Sequence, residues 1–363
     1  MSSVDAGTEQ AELIFPFSAP PTYGQVTEVK EGILWARIPL PYRLDHVNVY
    51  LIRDSDGWAV VDTGIRTDEA IAAWGQLFTG PLRGQRISKV IVTHSHPDHI
   101  GLAGWLCDRF SAPLLTSFST YAGIRAGSHS RGDDALRQYF NFYVSHGMSE
   151  EAAAVVAIQG NEYLKRVAPL PHTFLRLLMA DLLDIGGRRF RVLSGDGHAP
   201  EQILLYCEQE RLLFSADQVI EKISPNVSVF AEEPNGDPLG HFLRSLRWLR
   251  ASIPDDVLVL PGHMRPFHGL HLRCSELELH HEERCRLILA ACAERPHLAA
   301  ELVPVLFTRA LDPHQTSFAF TETLAHVGQL VRRGEIEVVR QDDKLFNRLT
   351  HAGDNGVAKQ RAR

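Results

Sequence analysis

Three histidines and an aspartate crowd into six residues of the run Thr-His-Ser-His-Pro-Asp-His-Ile-Gly at positions 93–101. His94, His96, Asp98 and His99 offer imidazole nitrogens and a carboxylate, a donor set that suits zinc, with iron and manganese as competitors. Four such donors at so short a spacing do not fit comfortably around one tetrahedral ion, so the run predicts two neighbouring metals. The apolar Val90-Ile91-Val92 before it reads as a short buried strand and 102–110 as a helix. The donors therefore sit on the turn that leaves a strand. A chance surface cluster is the alternative reading.

Further donors follow other apolar runs. His198 comes after Leu193-Ser194-Gly195-Asp196-Gly197, Asp217 after Leu212-Leu213-Phe214-Ser215-Ala216, and His263 after 257–260 and Pro261-Gly262. Val60-Val61-Asp62-Thr63-Gly64 ends a further strand in a carboxylate. In layered α/β folds, sites gather at strand ends on one edge of a sheet. One such histidine is weak evidence, whereas the coordinated set points to a metal centre.

The elements that must position these groups alternate. Strand signals at 32–38, 47–52 and 58–61 are separated by Pro39, Pro41, Asp54, Asp56 and Gly57, with a hairpin turn at 55–57. Thr67 is placed to cap a helix running to about Leu77, with Asp68 and Glu69 in its first turn. Strand 89–92, helix 102–110 and strand 113–116 continue the pattern. Strand signals then vanish, and a helical insertion is expected over about 118–185. Strands return at 189–193, 203–207, 212–215 and 257–260, with a helix at 238–253. Beyond Leu270 come helices at 276–293, 298–309 and 321–333, stopped by Gly334, then strands 336–340 and 344–348 around Asp342-Asp343. Three helices and a terminal hairpin make a winged-helix outline. The expected organisation is a leader (1–24), a catalytic domain (25–272), a small C-terminal domain (273–350) and a polar tail (351–363).

Composition narrows the class. The 363 residues, 44% hydrophobic and 22% charged, are ample for one large or two ordinary soluble domains. A net charge of −7 disfavours a sequence-blind hold on nucleic acid. No apolar run approaches the roughly 20 residues that span a bilayer, and the acidic start does not read as a secretory signal. A cytoplasmic protein with no membrane partner is the expectation. The five cysteines form no CxxC pair and are read as small core residues.

With these residues in hand, the chain resembles the metallo-β-lactamase superfamily. The family's H-x-H-x-D-H motif is matched at His94, His96, Asp98 and His99, its later ligands at His198, Asp217 and His263, and its Asp-Thr-Gly at 62–64. The resemblance covers roughly residues 25–270 and implies an α/β fold, a four-layer αββα sandwich. It implies that His94, His96 and His198 hold one metal, that Asp98, His99 and His263 hold a second, and that Asp217 bridges them, with Asp62 orienting ligands from behind. The C-terminal third, through 282–293, Ala325-His326-Val327-Gly328-Gln329-Leu330 and Gly334-Glu335-Ile336, resembles the lactamase-like protein 2 type, a subgroup that includes an animal mitochondrial endoribonuclease. Two departures stand out. Gly-His-Ala-Pro-Glu-Gln at 197–202 puts Gln202 where many of these hydrolases have a second histidine, and Asp217 opens an unusual Asp-Gln-Val.

The expected function is hydrolysis of an ester, thioester or lactone bond of a small-molecule metabolite by a hydroxide bridging two divalent ions, zinc foremost, with Asp98 handling a proton. Alternatives are a metal-dependent endoribonuclease and a di-iron redox protein. Residues 273–363 hold 13 Lys+Arg and 13 Asp+Glu, so no basic face is evident there. The C-terminal domain is read as a packing or homodimerisation module. His280-His281-Glu282-Glu283 is read as a solvated helical face, and His268 and His271 as surface residues. His129, His146, His172 and His241 are read as ordinary, and Arg131, Tyr139 and Tyr143 as packing rather than substrate-facing.

Overall fold

The computed structural model describes residues 12–127, 132–311, 313–351 and 353. β1 (Thr27–Lys30), β2 (Ile33–Pro39), β3 (His46–Asp54) and β4 (Gly57–Val61) form an antiparallel meander. Helix α1 (Asp68–Thr79) returns the chain so that β5 (Ile87–Ile91) runs parallel to β4. The single turn α2 (Pro97–Ile100) and α3 (Ala103–Phe110) lead into β6 (Leu114–Thr116), parallel to β5. Helices α4 (Phe118–Gly127), α5 (Asp133–Ser145) and α6 (Glu150–Tyr163) and a 3-10 turn precede β7 (Leu175–Arg176), the last strand of a seven-stranded sheet. β8 (Leu182–Ile185), β9 (Arg188–Gly195), β10 (Gln202–Cys207), β11 (Leu212–Ala216) and, after α7 (Pro238–Ser252), β12 (Leu258–Pro261) build a five-stranded sheet ordered β12-β11-β10-β9-β8.

Period-two burial makes these sheets face each other. Along β3, Val47, Val49 and Leu51 pack outward with Trp74 and Leu77 of α1 and Leu106 of α3, while Tyr50 and Ile52 point to the other sheet. Along β10, Ile203 and Leu205 point inward to meet them, and Leu204 and Tyr206 pack outward with Phe242 and Leu246 of α7. Both faces of each sheet are thus apolar, which forces helices onto both outer surfaces. The order helix, sheet, sheet, helix is the expected αββα sandwich. Between the sheets Phe214 meets Tyr50 edge-on at 5.3 Å and Phe190 at 5.8 Å, geometry that ring quadrupoles favour.

The C-terminal part consists of α8 (Leu270–Cys292), β13 (His297–Leu298), α9 (Ala299–Leu306), α10 (Pro313–Arg332), β14 (Ile336–Gln341) and β15 (Lys344–Leu349), the three strands pairing β13-β15-β14. Helix α8 starts at Leu270 rather than 276 and runs unbroken past residue 272. It shares one apolar cluster with α7, with Tyr143 and Met148 of the insertion, and with Leu302, Phe320 and Leu330. No helix among the described residues is long and apolar enough to cross a membrane.

Three expectations need correction. The insertion is helical only to about residue 166. Beyond it β7 and β8 add edge strands to the two sheets, and their short, largely exposed runs carry no alternation for a sequence pattern to reveal. Residues 12–24 are not a free leader. Ile14 exchanges backbone hydrogen bonds with His268, Phe15 lies under Arg265, and Phe17 packs against Trp35. His281 is not solvated but fully buried, because it faces His326 of α10, 45 residues away. The 351–363 tail lies almost wholly outside the described residues, as do His129 and Arg131.

Thr67 caps α1 as expected, its Oγ1 accepting from Ala70 N at 3.2 Å. Thr67→Ala should lower stability by about 1 kcal/mol, a shift that denaturant unfolding resolves.

Candidate metal centre

Strand direction explains why the donors meet. β4 and β5 are parallel, as are β11 and β12, and β9 is antiparallel to β10, which is antiparallel to β11. The carboxyl ends of β4, β5, β9, β11 and β12 therefore open on one edge. Asp62, His94, His198, Asp217 and His263 each lie one to three residues beyond those ends. The two sheets are stitched together there. Asn48 of β3 accepts from Trp35 Nε1 at 2.8 Å and donates through Nδ2 to the carbonyls of Pro261 and Met264, each at 2.9 Å. Tyr50 also donates to Pro261 O at 2.9 Å.

All seven candidate ligands come together, in three overlapping groups: His94, His96 and His198; Asp98, His99 and His263; and His94, His99 and Asp217. Asp217 Oδ2 stands 3.3 Å from His263 Nε2 and 3.4 Å from both His99 Nε2 and His198 Nε2. It touches members of both sets, so Asp217 is the shared element of the cluster. Asp98 Oδ2 lies 3.3 Å from His263 Nε2 and 3.7 Å from His99 Nε2.

Four of the imidazoles are held from behind. His94 Nδ1 is 2.9 Å from Thr93 Oγ1, which itself donates to Asp62 Oδ2 at 2.8 Å. His99 Nδ1 donates to Asp62 Oδ2 at 2.7 Å, His198 Nδ1 to the Asn226 carbonyl at 2.8 Å, and His263 Nδ1 to the His46 carbonyl at 2.8 Å. Each acceptor fixes the proton on Nδ1 and leaves the Nε2 lone pair aimed at the cluster. His96 turns the other way, its Nδ1 at 3.0 Å from His94 Nε2. Asp62 thus sits where an orienting carboxylate belongs, also accepting from Thr93 N at 2.8 Å. Its neighbour Thr63 ties the His94–His99 run to α1, because its Oγ1 donates to His99 O at 2.7 Å while its carbonyl accepts from Trp74 Nε1 at 2.8 Å.

A divalent ion fits this chemistry. His99 Nε2, His198 Nε2 and Asp217 Oδ1 are buried and make no hydrogen bond, a costly state for polar atoms unless something coordinates them. The backbone also leaves room at Gly262, where a Cβ would overlap Asp217 Oδ1 and approach His99 Cε1 to 2.8 Å. The protonation pattern agrees. Burial, reinforced by neighbouring imidazoles, holds His94 well below the usual histidine range and pushes His96 down to about 3. Burial also opposes charge on His99 and His263, but Asp217 and Asp98 outweigh it, holding His99 well above its ordinary value and raising His263 to about 10. Asp98 and Asp217 are held below the usual carboxylate range against their own burial, by His99 and His263. Without metal, protons on His99 and His263 do the work that cations would do between the carboxylates of Asp98 and Asp217.

The two departures at 202 and 218 prove to be one pair. Gln202 is fully buried at the start of β10, and its Nε2 donates to Gln218 Oε1 at 3.2 Å, while Gln218 Nε2 reaches Asp196 O at 3.4 Å. An amide pair therefore braces the turns bearing His198 and Asp217. Sequence reasoning also missed His46, Thr93, Asn226 and Gly262. Gly262 had a local signal, a Pro-Gly turn before a candidate ligand, whereas the others act through contacts distant in sequence or through backbone atoms. His280, His281 and Glu322 form a fourth group of donor type. Arg284 already neutralises Glu322 at 3.0 Å, and both His281 nitrogens are engaged by Ser224 and His326, so that group does not make a cation cradle. Tyr143 is buried against Phe320, away from solvent, and His268 and His271 bond to carbonyls of Val257 and Ile253.

Known proteins carry the same architecture. The family described as "Metallo-beta-lactamase superfamily" matches residues 42–263, and the "Metallo-beta-lactamase-like, C-terminal domain" matches 285–348. A β-lactamase domain protein from Burkholderia ambifaria superposes with a TM-score of 0.85 at 36% identity, over 93% of this chain and 98% of that one. The probable metallo-hydrolase YqjP of Bacillus subtilis is 24% identical over 306 residues, 83% of this chain and 92% of its own. The human acyl-coenzyme A thioesterase MBLAC2 is 23% identical over 244 residues, 65% of this chain and 80% of its own. By sequence, architecture and clustered donors, the chain belongs to the metallo-β-lactamase superfamily, among its metal-dependent hydrolases.

Proposed function

We propose that this hydrolase works through two divalent ions, zinc foremost, and cleaves an ester, thioester or lactone bond of a small metabolite, a thioester first among them. His94, His96 and His198 would hold one ion and Asp98, His99 and His263 the other, with Asp217 shared. The observation that carries this is Asp217 Oδ2, in reach of three Nε2 atoms drawn from both sets. Ions so held lower the pKa of a water towards neutrality and polarise the carbonyl under attack.

The chain's own groups do the positioning. Asp98 is the more open of the two clustered carboxylates, its side chain 20% exposed against 7% for Asp217. It is the group placed to take the proton of the attacking water and hold it in reach of the leaving group. Asp62, Thr93, Asn226 and His46 keep the imidazoles from turning. The acyl reading draws on the segment after Asp217, where Ile223 and Phe230 are exposed large hydrophobics on either side of Asn226, with Phe318 exposed beside it on α10. An apolar rim there suits an acyl chain better than a phosphate backbone, and the similarity to an acyl-coenzyme A thioesterase points the same way. The C-terminal helices pack on the catalytic sheets through one shared core, so we read their winged-helix outline as structural rather than nucleic-acid-binding. The five free, buried cysteines suit a reducing compartment such as the cytoplasm.

A panel of acyl thioesters, lactones and labelled RNA tests the assignment. Turnover of a thioester or lactone, with RNA left intact, is the expected result; RNA cleavage without acyl turnover would overturn it. Metal uptake supplies a second test. His263, raised to about 10 by Asp217 and Asp98 against its burial, holds a proton at pH 7 in the metal-free protein, and that proton must leave when an ion takes Nε2. Zinc affinity should therefore rise with pH below about 10, roughly tenfold per unit for each proton released. Calorimetric titration in buffers of different ionisation enthalpy counts those protons, and a count of zero contradicts the ligand set.

A further inference from the structure

We propose that the C-terminal helices α8 and α10 are the frame that positions His198, acting through Asn226 and Glu322. The inference rests on the dinuclear reading above and concerns this chain's own residues.

The rear acceptor of His198 lies within a long segment without helix or strand, whereas Asp62 and Thr93 follow β4 and β5 by one and two residues and His46 opens β3. Residues 217–237 have neither, so no ladder of their own fixes the Asn226 carbonyl that receives His198 Nδ1–H. A carbonyl in such a loop stays put only if other elements hold it. Here they do so from both sides of Asn226. Its Nδ2 donates to Glu322 Oε2 at 3.3 Å and to Phe318 O at 3.5 Å, and its Oδ1 accepts from Ser228 Oγ. Ser228 Oγ also meets Thr321 Oγ1 at 2.8 Å, and Val229 N donates to Thr321 O at 3.1 Å. All of these α10 partners lie between Phe318 and Glu322, one turn of helix.

Helix α8 secures the same segment and the same glutamate. Arg284 Nη1 donates to Glu322 Oε1 at 3.0 Å, fixing the carboxylate that holds Asn226. Arg273 is buried and donates to Ile220 O at 2.7 Å and Ile223 O at 3.0 Å, while Ser224 Oγ meets His281 Nε2 at 3.2 Å. Glu322 spends both oxygens on this arrangement. Burial pushes its carboxyl up to about 7, and Arg284 and Asn226 pull the other way by favouring the charged form. A path of hydrogen bonds therefore runs from Arg284 through Glu322 and Asn226 to His198. It makes Asn226 and Glu322 positioning residues for one metal site and not for the other, because His263 is held by His46 and His99 by Asp62.

The test uses the full chain loaded with zinc and a chromophoric chelator as the competing probe. Asn226→Ala keeps the backbone carbonyl but removes its tethers. One of the two ions should then leave at least about tenfold faster than from the parent protein, the lower end of the effect expected when a ligand loses its outer support. The second ion should leave at the parent rate, and the melting temperature of the metal-free protein should hold. Glu322→Gln retains one oxygen acceptor for Asn226 Nδ2 and should release the ion more slowly than Glu322→Ala. Release of both ions at parental rates from Asn226→Ala overturns the proposal, and so does equal acceleration of both with a fall in metal-free stability. Should Glu322→Ala fail to fold, Asn226→Ala and Glu322→Gln still decide. A parent protein that takes up fewer than two ions would instead sink the dinuclear reading.

Discussion

Asp98→Ala should lower turnover by about 10²- to 10⁴-fold, the usual worth of a positioned proton-transfer group, while the protein still folds. Asp98 is only partly buried and its contacts are with the cluster itself, so removing it disturbs no apolar packing. Asp98→Asn separates its two roles. The amide keeps the size and one oxygen donor but cannot take a proton, so catalysis should fall even where metal content is retained. Steady-state kinetics with elemental analysis and thermal melts reads all three quantities together. Near-parental turnover in Asp98→Ala would refute the role assigned to this carboxylate.

Gly262→Ala should disable the metal centre although it adds only one methyl group. Its backbone is not in the left-handed region, so elsewhere such a change would be neutral or stabilise slightly by restricting the unfolded chain. Here the new Cβ overlaps Asp217 Oδ1 and comes within 2.8 Å of His99 Cε1. Neither side chain can yield cheaply. His99 is pinned by Asp62 at 2.7 Å, and Asp217 is crowded by three imidazoles. The expected outcome is a folded protein that takes up less than one ion per chain and loses at least about 10³-fold in turnover, since both metal-dependent contributions go together. Two ions bound with parental activity would show that the cradle at Gly262 is not where the ions sit.

Local signals account for what was legible beforehand. Near-continuous apolar runs at 47–52 and 203–207 mark strands buried on both faces, and such strands demand helices outside. A donor just past an apolar run marks a strand end. Since strand ends of one direction share an edge, Asp62, His94, His198, Asp217 and His263 form one group already in the sequence. The capping threonine at 67 and the stop at Gly334 are likewise written within a few residues of where they act.

Other features depend on which segments meet, and no spacing encodes that. β7 and β8 are strands because sheet edges accept them, not because 175–185 alternates. His281, on a stretch that reads as a wet helical face, is buried because α10 lies over it. Gln202 looked like a lost histidine until Gln218 stood opposite it. The Asn226 carbonyl has no side-chain signature at all, and it acquires meaning only when His198 arrives from 28 residues upstream and Glu322 from 96 residues downstream. The donors and the strand ends that carry them are written in local residue order, and the motif they form implied the layered fold through its family resemblance. Only tertiary packing decided which backbone atoms, amides and empty spaces hold those donors still, because such contacts are made between segments that are strangers along the chain.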